Sequence, residues 1–144
     1  QKARDFQERA LAIEEREYGQ RHPKVATTLG NLGNTWLRLG DAHEAAKILG
    51  RALAIQEREF GKQHLKVAPT LVSIGIAHLL RDDAGRAIDC LERGLVIQQR
   101  ELCAEHPAWA PLLRNLQAAY RKLGDADRTA AFEERVDSIL AWTR

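Results

Sequence analysis

The chain has no methionine, two cysteines and four prolines, and only 6% of its residues are aromatic. The cysteines, Cys90 and Cys103, stand 13 residues apart along one predicted helix. That is about 20 Å at 1.5 Å per residue, whereas a disulfide needs Cα atoms within about 7 Å. Two unpaired thiols point to a reducing compartment and so to a cytoplasmic setting. No apolar run approaches the roughly 20 residues that span a bilayer, and no basic-then-apolar leader opens the chain. A membrane partner is therefore not expected. Charge of neither sign dominates: the net is +2, and acids and bases alternate along the predicted helices. A nucleic-acid binder would gather its basic residues into a stripe, so that partner is not expected either. With no methionine, and with residue 1 already inside a helical pattern, the chain reads as a piece of a longer protein.

What the chain does have is self-similarity at an offset of 42 residues. His22-Pro23-Lys24-Val25-Ala26 returns as His64-Leu65-Lys66-Val67-Ala68, and more loosely as His106-Pro107-Ala108-Trp109-Ala110. Ala10-Leu11-Ala12-Ile13-Glu14-Glu15-Arg16-Glu17-Tyr18-Gly19 is nearly copied in Ala52-Leu53-Ala54-Ile55-Gln56-Glu57-Arg58-Glu59-Phe60-Gly61. A fixed period of this length signals stacked supersecondary units, and such stacks present extended concave surfaces that bind other molecules.

Each unit reads as two amphipathic helices. Leu29, Leu32, Trp36 and Leu39 fall at helical spacing. Gly40 supplies a left-handed stop, and Asp41 with Glu44 makes a capping-box-like start for the next helix. That helix carries Ala45, Ile48, Leu49, Ala52, Leu53 and Ile55 and ends near Gly61. The same reading predicts helices from Val67 to about Leu80, Ala84 to about Leu102, Pro107 to about Leu123 and Ala126 to about Leu140. A lone second helix precedes them, from Lys2 to Tyr18. The fold class is all-α, with seven helices in about 3.5 repeats. The division is one domain over 1–144: a truncated unit at 1–21, then units at 22–63, 64–105 and 106–144. Gly33 and Gly75 share one slot, as do Ala45 and Ala87. Small residues there let antiparallel helices approach at the close end of the 8–10 Å range.

These residues resemble the tetratricopeptide repeat. The pattern is Leu29-x-x-Leu32-Gly33-x-x-Trp36, Gly40-Asp41, then Ala45-x-x-x-Leu49-x-x-Ala52-Leu53. The second unit keeps Leu71, Ile74, Gly75, Ala87, Leu91 and Leu95 but departs at Asp82 and Gly94. The third has Gln117, Thr129 and Glu133 in small or apolar slots, so its second helix is either shifted in register or a capping helix. Against the usual 34 residues, this unit is longer by 42 − 34 = 8. In its length, and in His-Pro before Val-Ala-x-x-Leu, it is similar to the repeats of kinesin light chains and nephrocystin-like proteins. HEAT-type repeats share the length range without calling for this Gly/Ala pattern. The resemblance implies a right-handed superhelical α-solenoid of antiparallel helix pairs. It also implies a protein–protein interaction scaffold or adaptor that is not an enzyme and needs no cofactor.

In such repeats the first helix of each pair lines the concave face. The peptide-binding candidates are then Asn31, Asn34, Leu37 and Arg38 in the first unit and Val72, Ser73, Ile76 and Leu79 in the second. In the third they are Arg114, Asn115 and Arg121. Their chemistry grades from amides through an apolar floor to cations. Amides can bond an extended backbone as donor and acceptor, and guanidinium groups grip carboxylates in two-pronged fashion. The expected ligand is a short peptide with an apolar anchor and acidic flanks. Kinesin light chains are similar in preferring acidic peptides with an aromatic anchor. The lysine clamp of chaperone-binding relatives is not reproduced, because Gly30 and Pro111 stand in its places. The alternative reading is a self-association module, a homo-oligomer, motivated by the truncated first unit and Trp142.

Other patterns carry no chemistry. His22, His64 and His106 belong to different units, too far apart to converge on one ion at about 2 Å, so no metal is expected and each reads as closing a loop before a first helix. His78 fills the slot of Trp36 and Tyr120 and reads as packing. Gly30-x-x-Gly33 is too short for a phosphate loop. Trp109 stands where the other units have valine, and Trp142 sits near the chain end; a large aromatic on a terminal helix packs against a further repeat or frays into solvent.

Overall fold

The computed structural model describes residues 2–101 and 106–142. They form a right-handed solenoid of seven helices with no strand among them. The helices are α1 (Lys2–Tyr18), α2 (Pro23–Arg38), α3 (Ala42–Phe60), α4 (Ala68–Leu80), α5 (Ala84–Glu101), α6 (Ala110–Leu123) and α7 (Ala126–Trp142). Consecutive helices pack against each other along the whole chain. Cys90 is half-buried, and burial pushes its thiol pKa up; Cys103 lies outside the described residues, as does the side chain of Trp142.

The histidines act as caps. His22 Nδ1 accepts a hydrogen bond from the Lys24 N–H at 3.2 Å, and His64 and His106 repeat this with Lys66 and Ala108 at 3.1 Å. Each satisfies a donor that a helix start would leave orphaned. In the first two units the ring also stacks on the preceding aromatic, Tyr18 at 4.9 Å and Phe60 at 5.1 Å.

The first helix of the second unit begins within one residue of the expected Val67, after a tighter turn, and that of the third unit begins three residues later than the expected Pro107. Leu65–Val67 and Pro107–Trp109 are single 3-10 turns, and the α-helix begins only at Ala68 and Ala110. Proline explains it. Pro69 and Pro111 have no N–H to donate to the carbonyl four residues back, so the first turn winds tighter. The first unit has Thr27 there and winds as α-helix from Pro23.

The first-to-second turns share one geometry. Gly40 and Gly124 take φ of 86° and 83°, and Asp82 holds the same left-handed place at φ 58°. Asp41, Asp83 and Asp125 then accept from the backbone N–H three residues on, at 3.0, 3.2 and 3.0 Å. α7 therefore starts in the same register as α3 and α5. It differs in what it buries: Val136 and Ile139 are covered, while Glu133 is exposed where α3 and α5 bury Leu49 and Leu91. Trp109 is buried in the core of this last pair, with Arg135 at 5.9 Å from its ring.

His78 is mostly buried, its Nδ1 3.9 Å from an Asp83 carboxylate oxygen. Desolvation lowers its pKa below the ordinary 6.5; Asp83 opposes this, and Arg81 and Arg86 add to it. The unfolded chain thus binds this proton more readily. The contribution to stability is full above pH 6.5 and is lost as pH falls through the folded value. In urea titrations, stability is expected to decline between pH 7.5 and 5.5, with a smaller decline in His78→Tyr, which installs the residue of the equivalent third-unit position.

Candidate functional site

The first helices touch one another: α2 meets α4, and α4 meets α6. The backbones of the second helices approach each other less closely, and α1 and α3, α3 and α5, and α5 and α7 are bridged by long side chains in the pairs Glu15–Arg51, Glu57–Arg93 and Glu92–Arg128. A stack whose members meet along one row and part along the other curves toward the meeting row. The wall made by α2, α4 and α6 is thus the inner one.

The eleven candidate residues all lie on these three helices, with unequal exposure. Asn31, Asn34 and Arg38 are exposed on α2, and Arg114 and Arg121 on α6; Asn115 is half-buried beside them. The side-chain amides of Asn31 and Asn34 make no hydrogen bond among the described residues. On α4, Ser73 and Ile76 are half-buried, and Val72 packs partly against the core. Leu37 leans into the cluster of Ala45, Leu49, Ile74 and Ala77. Leu79 does not face outward: it is 8% exposed and belongs to the core formed with α5, α6 and α7. Its neighbour Leu80 is the exposed residue at that end of α4.

The electrostatics of this wall are one-sided. α2, α4 and α6 contain no aspartate or glutamate. Their cations are Lys24, Arg38, Arg114, Arg121 and Lys122. Lys122 is taken: it bonds the Asp82 carboxylate and donates to the Leu79 carbonyl at 3.1 Å, and it holds Asp82 below the usual carboxylate range. Lys24 sits over the Tyr18 ring at 4.5 Å. Arg38, Arg114 and Arg121 have no partner among the described residues. The acids lie on the other helices and in the turns, where many are spoken for. Glu15 pairs with Arg51, Glu57 with Arg93 at 2.7 Å, and Glu92 with the Tyr120 hydroxyl. This segregation corrects the expectation that acids and bases alternate along the helices, since the first helices hold no acid at all; the tether of Lys122 was not readable in the sequence, because its partners lie 40 and 43 residues away.

Among the described residues no group of three or more His, Cys, Asp or Glu could hold a metal ion. No described helix is long and apolar enough to cross a membrane.

A family model described as tetratricopeptide repeat matches residues 1–55 and 25–100. No curated protein matches the sequence. Among solved structures, the chain is similar to BtubC (BKLC) from P. vanneervenii, with 28% identity and a TM-score of 0.89 over 99% of this chain. It spans 57% of that chain's length. A protein of Podosopora anserina, with nearly identical TPR-like repeats of kinesin-light-chain kind, aligns with a TM-score of 0.87 at 24% identity, covering 99% of this chain and 67% of that one. The TPR domain of Arabidopsis FLU aligns with a TM-score of 0.68 at 19% identity, over 82% and 93%.

Proposed function

Because the chain belongs to the tetratricopeptide repeat family, with repeats of the kinesin-light-chain type, we propose that it binds a short acidic peptide along α2, α4 and α6. Domains of this family are protein–protein interaction scaffolds, and the finer reading concerns the ligand. The observation that carries it is the acid-free inner wall with three unpaired arginines, Arg38, Arg114 and Arg121. Evenly mixed charge would be expected of a face that only meets water. The apolar strip of Val72, Ile76 and exposed Leu80 lies between the amide end on α2 and the cationic end on α6. An apolar side chain of the ligand rests on that strip, Asn31 and Asn34 bond its backbone, and Arg114 and Arg121 take its carboxylates. The division into one lead helix and three helix pairs, a cytoplasmic setting and the lack of catalysis belong to the same proposal.

A peptide-library screen on the purified chain tests it. Ligands are expected to be enriched in Asp and Glu beside one apolar residue. Asn34→Ala and Arg114→Ala should each weaken the selected peptides several-fold in a direct titration. A library with no acidic enrichment would sink the reading.

A further inference from the structure

The second helix of every complete pair is covered by its first helix. Ile55 is 6% exposed and packs on Val25, Ala26 and Leu29 of α2, with Ile48 alongside. Ile97 is 1% exposed and packs on Ala68 and Leu71 of α4. Ile139, at the same position of the third pair, is 2% exposed. α1 carries the same sequence pattern, and its equivalent residues are bare: Ile13 is 58% exposed and Phe6, aligned with Ile48, is 74% exposed. Two turns apart from each other along the helix, Ala3 and Ala10 border this stripe, and no residue of α1 is fully buried.

A contact shared by the second helices of the first two complete pairs is also missing. Arg51 pairs with Glu15 and Arg93 with Glu57, each reaching back 36 residues to the preceding second helix. Arg9 holds the equivalent place on α1 and has no partner among the described residues. We propose that this face of α1 docks a helix pair of the same repeat kind. Its first-type helix, patterned like α2 and α4, covers Phe6 and Ile13, and a carboxylate from its second-type helix meets Arg9.

The internal copies identify the occupant, since they are covered by that kind of helix twice over within this chain. A second copy pairing α1 with α1 fits poorly. Lys2, Arg9 and Arg16 recur every seventh residue along one flank of the stripe, so antiparallel pairing would set cations against cations. Nor can a second copy lend its α2, α4 or α6, each of which already covers its own partner.

The test uses the chain of 144 residues and a labelled probe of residues 42–80, which carries α3, α4 and Glu57. Saturable 1:1 binding is expected by fluorescence anisotropy. Phe6→Asp with Ile13→Asp should weaken it at least tenfold; both sites are exposed, so circular dichroism should be unchanged. Glu57→Lys in the probe should weaken binding several-fold, and Arg9→Glu in the chain should restore it. A shorter probe of residues 64–81 reads the apolar contact alone and does not depend on the hairpin folding by itself. Lack of saturable binding by both probes, or binding indifferent to Phe6→Asp with Ile13→Asp, overturns the proposal. So does a dimer by sedimentation that this double variant dissolves, because the face would then belong to a second copy.

Discussion

Replacing Gly75 by alanine is expected to destabilise the protein by about 1–3 kcal/mol. A β-carbon at Gly75 would lie 2.6 Å from Leu91 Cγ and 2.8 Å from its Cδ2, with the Ala87 carbonyl oxygen at 3.4 Å. Leu91 cannot swing clear, since it is fully buried and the clash is at its branch point. The helices α4 and α5 must therefore separate. For a chain of this size the loss corresponds to a fall in Tm of about 3–10 °C. Gly33→Ala should behave alike, because its β-carbon would meet Leu49 Cγ at 2.5 Å. Gly94→Ala is the internal control. Its nearest neighbours would be 3.6 Å away, ordinary contact, and removing a helical glycine stabilises by about 0.5–1 kcal/mol. Opposite shifts for Gly75→Ala and Gly94→Ala in thermal or urea melts would establish that helix approach, not glycine itself, is what Gly75 secures. Equal shifts would contradict it.

Reversing two charges on α6, Arg114→Glu with Arg121→Glu, is expected to weaken an acidic peptide by more than tenfold. Both side chains are exposed and unpaired, so their removal breaks no internal contact and melting should be nearly unchanged. The reversal replaces two attractions by two repulsions on a wall that has no carboxylate of its own. Wild-type affinity should fall with added salt as exposed ion pairs are screened, and the double variant should show little of that dependence. Lys122→Glu makes the contrasting case: it cuts the tie from α6 to Asp82 and the Leu79 carbonyl and should lower stability as well as binding. Retention of wild-type affinity in the Arg114/Arg121 variant would remove these residues from the site.

The periodicity of Leu29, Leu32 and Trp36, the left-handed stop at Gly40 and the cap at Asp41 were all legible in advance, and α1 runs over the very residues expected, Lys2–Tyr18. Each depends on neighbours within four residues, which a linear reading sees. The 3-10 starts at Leu65–Val67 and Pro107–Trp109 were in principle just as local; the clue was proline two residues inside the helix rather than at its first position. The candidate site was legible to the level of which helices line the wall. Leu79 and Leu80 show the limit. Both are apolar and adjacent, and which one turns into the core depends on where α6 and α7 lie.

Ile13 and Ile55 mark the boundary most sharply. They are the same residue in nearly the same ten-residue run, and both helices form as that run dictates. One is 58% exposed and the other 6%. Helix formation, capping and turning are settled by bonds between near neighbours, so the sequence alone determined them. Burial, charge pairing across units and the exposure of the first helices' outer faces depend on which helix arrives from a distant part of the chain, and only the stacked structure decided those.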